Sequence, residues 1–191
     1  MKYQIIYADP AWEYKDKSKS RGGGAESHYK TMNINDICSM PIKDISDKDC
    51  VLFLWTTMPM LKEALQVIYS WGFDYKTVAF TWIKGNKRVS KQGVFFNFGI
   101  DDYMGMGRWT RANAELCLLA TKGKPKRISA SVRQVVYSPL ENHSKKPDEV
   151  RKRIIDLMGD LPRIELFARE KSDGWHTWGN EVECDIKLDN I

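Results

Sequence analysis

A chain of 191 residues, 42% hydrophobic and 12% aromatic, is long enough to bury one core and too apolar to stay disordered, so a single domain over residues 1–191 is expected. No apolar run nears a membrane-spanning length, no signal-peptide pattern opens the chain, and the four cysteines lack the paired spacing of a zinc or redox motif, which fits free thiols in a reducing cytoplasm. The net charge of +5 is unevenly spread: eleven Lys and Arg stand against three acids in the irregular stretch 84–133, a basic segment expected to meet nucleic-acid phosphates.

The first element is Tyr3 to Ala8, an apolar run of the kind found in strands buried on both faces. It stops at Asp9-Pro10-Ala11-Trp12. A carboxylate at the carboxyl end of a buried strand stands where open α/β sheets place their ligands. Pro10 ends the strand ladder and biases Asp9 towards an extended backbone. Trp12 adds a flat apolar face suited to stacking on a planar substrate. Taken alone, the stretch is read more simply as a strand end closed by an Asx-type turn with Trp12 in the core.

Lys15 to Ser27, with Gly22-Gly23-Gly24 inside it, is a loop that serves either as a lid on that site or as a surface insertion. A helix start with polar caps follows at Asn33 to Ile37. Cys50 to Trp55 is a second buried strand. Pro59 to Gly72 is a helix with Leu61, Ala64, Leu65, Ile68 and Tyr69 on its apolar side and Gly72 as its stop. Tyr75 to Trp82 is a third strand. Strand, helix, strand in this order implies a right-handed parallel crossover and an α/β layered sheet. Asn86 to Ala112 lacks periodicity and is too long for an idle connection. Glu115 to Thr121 is a fourth strand and Val132 to Tyr137 an extended piece. Lys146-Pro147-Asp148-Glu149 opens a helix whose apolar side is Val150, Ile154, Ile155 and Met158, stopped by Gly159. Pro162 to Phe167 is a fifth strand, and Gly174 to Glu181 ends in a short strand with a polar tip.

Four segments, taken together, resemble one known family in its own order. They are Asp9 to Trp12; Phe53 to Thr57 with Trp82-Ile83-Lys84; Ser144 to Glu149; and Ile164 to Arg169 followed by Trp178-Gly179-Asn180-Glu181. The resemblance is to the MT-A70 family of S-adenosylmethionine-dependent N(6)-adenine methyltransferases, of the bacterial or phage DNA-modifying type. It implies a Rossmann-like methyltransferase fold, α/β, with a mostly parallel twisted sheet, helices on both faces, and the catalytic motif preceding the cofactor-binding strand. The chain carries neither a Gly-x-Gly-x-x-Gly nor a Gly-x-x-x-x-Gly-Lys motif, which argues against nicotinamide and phosphate-cleaving enzymes.

By this resemblance Asp9, Pro10 and Trp12 form the catalytic motif. Asp9, Lys146, Phe167, Arg169, Asn180 and Glu181 are expected to hold S-adenosylmethionine. Tyr29, Trp82, Lys84, Lys87 and Arg88 are expected to meet the target nucleic acid, and no metal is needed. The chemistry is coherent with these residue types. An adenine amine is a poor nucleophile because its lone pair is delocalised into the ring. Two acceptors, the Asp9 carboxylate and the Pro10 carbonyl, would localise that pair. A base inside a duplex cannot reach such a pocket, so it must be single-stranded or flipped out. Ala11 departs from the family's usual second proline, which lowers rigidity while sparing both acceptors. The activity expected is methyl transfer to adenine in DNA. The alternatives are an RNA adenine methyltransferase and a non-catalytic nucleic-acid-binding subunit, with a homodimer or partner subunit supplying part of the grip.

Overall fold

The computed structural model describes residues 1–13, 31–86, 103–105, 107, 109–141 and 145–188. Its elements run β1 (Tyr3–Ala8), α1 (Ile34–Ser39), α2 (Ile42–Ile45), β2 (Ser46–Thr56), a 3-10 turn (Met58–Met60), α3 (Leu61–Ser70), β3 (Asp74–Gly85), β4 (Ala114–Lys122), β5 (Val135–Pro139), α4 (Asp148–Met158), β6 (Arg163–Leu166) and β7 (His176–Trp178). The strands form one seven-stranded sheet in the order β5-β3-β4-β2-β1-β6-β7. Four of its six pairings are parallel; β4 runs antiparallel to both β2 and β3. The expected crossover is therefore present in direction, since β3 runs parallel to β2, but β4 is inserted between the two. The α/β Rossmann-like class stands, as a mixed sheet.

Alternation along the central strands divides the core in two. On one face Ile6, Ala8, Leu52 and Leu54 pack with Ile37 of α1 and Ala64, Val67 and Ile68 of α3. On the other, Ile5, Tyr7, Val51, Phe53 and Trp55 pack with Val150, Ile154 and Met158 of α4. Tyr3 joins the first face despite its odd position, and the β1–β2 register shifts between Tyr3 and Ile5. Both faces of the sheet are thus covered by helices, which is what lets β1 and β2 be apolar throughout.

The helix ends follow local chemistry. Asn33 caps α1 by accepting from the Asp36 N–H at 3.0 Å. Gly159 closes α4 at φ 91°, a conformation costly for a residue with a Cβ. One helical face is corrected. Val67 belongs to the buried side of α3, while Leu61 and Tyr69, at 37% and 60% exposure, do not. The indole N–H of Trp71 donates to the Ile37 carbonyl at 2.7 Å and ties the end of α3 to α1.

Candidate active site

β1 lies between β2, the next strand in sequence, and β6, which follows much later. The chain thus leaves β1 in one direction and returns on its other side, the switch point where a crevice opens beyond the carboxyl ends of the strands. Ala8, the last residue of β1, pairs with Leu54 on one side and Leu166 on the other, so Asp9 steps directly into that crevice. The turn after it is pinned from both ends. The Trp12 N–H donates to the Pro10 carbonyl at 2.9 Å and the Met32 N–H to the Ala11 carbonyl at 3.0 Å. The Trp12 indole donates to the Trp55 carbonyl of β2 at 3.3 Å. One lone pair of the Pro10 carbonyl is thereby used, and an sp² oxygen has a second.

Around Asp9 the sequence-distant charges converge. Lys146 Nζ donates to Asp9 Oδ2 at 2.8 Å and stands 3.2 Å from Glu115 Oε2. Lys84 Nζ holds the other oxygen, Glu115 Oε1, at 2.5 Å. The two ammonium groups also lie over indole rings, Lys146 over Trp55 at 5.6 Å and Lys84 over Trp82 at 5.2 Å. Lys146 and Glu115 are buried, while the Asp9 side chain keeps 25% of its surface. Burial pushes the Asp9 carboxyl above its ordinary value, Lys146 and Arg169 only partly offsetting it and Glu115 adding to it. Burial acts on Glu115 in the same sense, but Lys146 and Lys84 outweigh it and hold its carboxyl below the usual range. Burial works against the charge on Lys146, and the two carboxylates beside it more than compensate, raising its pKa.

A second wing of the site comes from β6 and β7. Phe167, directly after β6, sits at φ 62°, a left-handed conformation that is strained for a bulky residue. Its ring meets Trp178 edge-on at 5.5 Å. The Ala168 N–H donates to the Trp178 carbonyl at 3.0 Å. A Cβ on Gly179 would fall 2.1 Å from the Ala168 carbonyl oxygen, so only glycine permits this approach of the two backbones. Arg169 Nε and Glu181 Oε1 are 4.0 Å apart, and Asn180 beside them is exposed. The donor set is chemically suited to S-adenosylmethionine: an acid and an amide for ribose hydroxyls, a ring edge for adenine, and cations for a carboxylate.

Of the residues singled out from sequence, Asp9, Pro10, Lys84 and Lys146 are brought together at one edge, and Phe167, Arg169, Asn180 and Glu181 at the adjoining turns. Lys146 is a buried cation engaged with Asp9 and Glu115, rather than one held out for a cofactor carboxylate alone. Trp12 and Trp82 lie deeper than a stacking surface would. Both are buried, at 5% and 0% exposure, with Trp82 donating to the Ser138 carbonyl at 2.9 Å and packing edge-on to Trp55, so neither ring offers an open stacking face. Tyr29, Lys87, Arg88, the Lys15–Ser27 loop and most of Asn86–Ala112 lie outside the described residues. Among the described residues no group of His, Cys, Asp or Glu is arranged to hold a metal, and all four cysteines are free thiols. An open cavity of 280 Å³ lined by Gln4, Asp49, Lys124 and Met158 lies at the opposite, amino-terminal end of β1 and gathers none of these residues.

Two features escaped the sequence reading. One is Glu115, whose only signal was an acid at the head of an otherwise apolar strand. The other is a buried pair beneath the site, in which Arg151 donates from Nε and Nη2 to the two oxygens of Glu165, each at 2.7 Å.

Residues 3–181 match the MT-A70 family. The chain belongs to that family. It is similar to the type II methyltransferase M.MunI of a Mycoplasma species, at 36% identity over 199 residues covering 95% of this chain and 78% of that protein. It is also similar to the METTL3 subunits of N(6)-adenosine-methyltransferase from Homo sapiens and Danio rerio, each 26% identical over 187 residues. Those matches cover 95% of this chain but 28% of each of the longer proteins.

Proposed function

We propose that the chain transfers a methyl group from S-adenosylmethionine to the exocyclic amine of adenine in DNA, acting on a flipped-out or single-stranded base. The observation that carries this reading is Asp9, a part-exposed carboxylate at the switch point, fixed by Lys146 through one oxygen. S-adenosylmethionine, when bound, supplies the electrophilic methyl group. Phe167, Arg169, Asn180 and Glu181 hold and orient it, and the remaining work falls to the Asp9 turn. Asp9 accepts one amine N–H, and the free lone pair of the Pro10 carbonyl accepts the other, so the amine nitrogen turns its lone pair out of the ring plane. The methylated amine, briefly cationic, is a far stronger acid than a carboxylic acid, so the Asp9 carboxylate beside it takes the proton it must shed, and burial, which raises the Asp9 carboxyl, acts in the same sense. The buried Trp12 serves by locking the turn that aims Pro10.

DNA is favoured because the match to the type II methyltransferase extends over most of that protein, whereas the adenosine methyltransferases carry long additional sequence. A reducing cytoplasm suits the free thiols, and no helix among the described residues is long and apolar enough to cross a membrane. The deciding experiment incubates the protein with labelled S-adenosylmethionine and, separately, single- and double-stranded DNA and RNA, then maps modified adenines. Label is expected in DNA adenine; label in RNA alone would move the substrate, and none in any would end the reading. Asp9→Ala is expected to abolish transfer with the thermal unfolding midpoint retained. Full activity in that variant would refute the role given to Asp9.

A further inference from the structure

In the charge chain Lys84–Glu115–Lys146–Asp9 the least exposed side chain is Glu115. It is buried, comes from the head of antiparallel β4, and spends each oxygen on a different lysine. A carboxylate needed only to neutralise Lys84 would have no reason to stand 3.2 Å from Lys146 as well. A lysine ammonium is a compact point charge with three donors on a flexible stem, so its position is set by its anionic neighbours. With two of them, at 2.8 and 3.2 Å, the charge is divided between Asp9 and Glu115.

We infer that Glu115 is a positioning residue for the transfer reaction: it holds Lys146 beside Asp9 and, by sharing the ammonium, leaves the Asp9 carboxylate a strong acceptor for the target amine. This rests on the methyl-transfer reading above. Without Glu115, Lys146 would settle more fully on Asp9 and neutralise the oxygen that the amine requires. The groups acting on Asp9 are Lys146 ahead of α4, Glu115 and Cys117 on β4, Glu165 on β6 and Arg169 just after it. Of these, Glu115 raises the Asp9 carboxyl and Lys146 lowers it, so removing Glu115 shifts Asp9 downward on both counts.

The test is Glu115→Gln, close in size and without the charge, read in two ways. Carboxyl carbon NMR on the protein is expected to show Asp9 titrating at lower pH than in the native chain. At saturating DNA and cofactor, kcat is expected to fall on the order of 10–100-fold. Glu115→Asp, which keeps the charge, is expected to return the Asp9 titration towards native and recover part of the rate. A double-mutant cycle with Lys84→Met separates the two roles open to the residue. If Glu115 acts through Lys146, adding Glu115→Gln to Lys84→Met lowers kcat by a similar factor. If it only neutralises Lys84, the second change costs nothing in that background and the inference is overturned. An unmoved Asp9 titration overturns it too, and needs no turnover to be read. Native protein that methylates nothing would instead remove the underlying function.

Discussion

Lys146 and Arg151 stand five residues apart, one just ahead of α4 and one within it, and each is buried against a carboxylate reached from the sheet. They are built on opposite plans. Arg151 meets Glu165 with two parallel bonds, takes Asp148 with Nη1 at 2.7 Å, and lies over the Tyr7 ring at 5.7 Å. Tyr7 in turn accepts the Trp55 indole N–H at 2.7 Å. A planar guanidinium in such a fork has one geometry and keeps it. Lys146 divides a single ammonium between two carboxylates, one of them part-exposed in the crevice. The α4 segment thus brings a rigid cation to the point where the helix is fastened to the sheet and an adaptable one to the proposed reaction site.

The contrast is open to test by changing each cation. Arg151→Met should have the largest effect, since it strands the buried Glu165 carboxylate, which burial already pushes upward. A loss of about 3–5 kcal/mol in denaturant unfolding is expected. Arg151→Lys keeps the charge but loses the fork, and a smaller loss of about 1.5–3 kcal/mol is expected in the same measurement. If lysine were tolerated there without cost, the rigid plan would be wrong. Lys146→Met should show itself in the pH profile. Asp9 must be ionised to accept the amine, and Lys146 is the largest influence holding its carboxyl down against burial. Removing it lets that carboxyl rise, so the acid limb of kcat/KM should move to higher pH. A limb that stays in place would detach Lys146 from Asp9.

What the sequence made visible and what it hid divide along physical lines. β1 and Asp9 could be read because a buried parallel strand is apolar throughout and an acid at its end stands out. The helix at Asp148–Met158 was legible from proline and acids at its start and glycine at its end. The direction of β4 was hidden, because a strand's residue pattern says nothing about which way it runs. α3 was misphased because Leu61, Leu65 and Tyr69 also recur at helical spacing, and the side that is buried is decided by contact with α1 and β2. Glu115 and Glu165 were invisible as pair partners. Their cations lie 31 and 14 residues away, and only the sheet order brings the first pair, and the helix-on-sheet packing the second, into register.

The antiparallel β4 has a consequence for how the enzyme can change. Ile83 of β3 pairs with Ala114 of β4, and the Lys84 N–H donates to the Asn113 carbonyl at 2.8 Å. The connection between Gly85 and Ala114 therefore leaves and re-enters the fold at neighbouring points, as a hairpin whose stem already contains Lys84 and Glu115. Lengthening such a closed excursion adds only a slowly growing entropic penalty. Changes of length between these two anchors accordingly leave the charged cluster at their base in register, so that the sequence there can diverge while Lys84 and Glu115 stay paired.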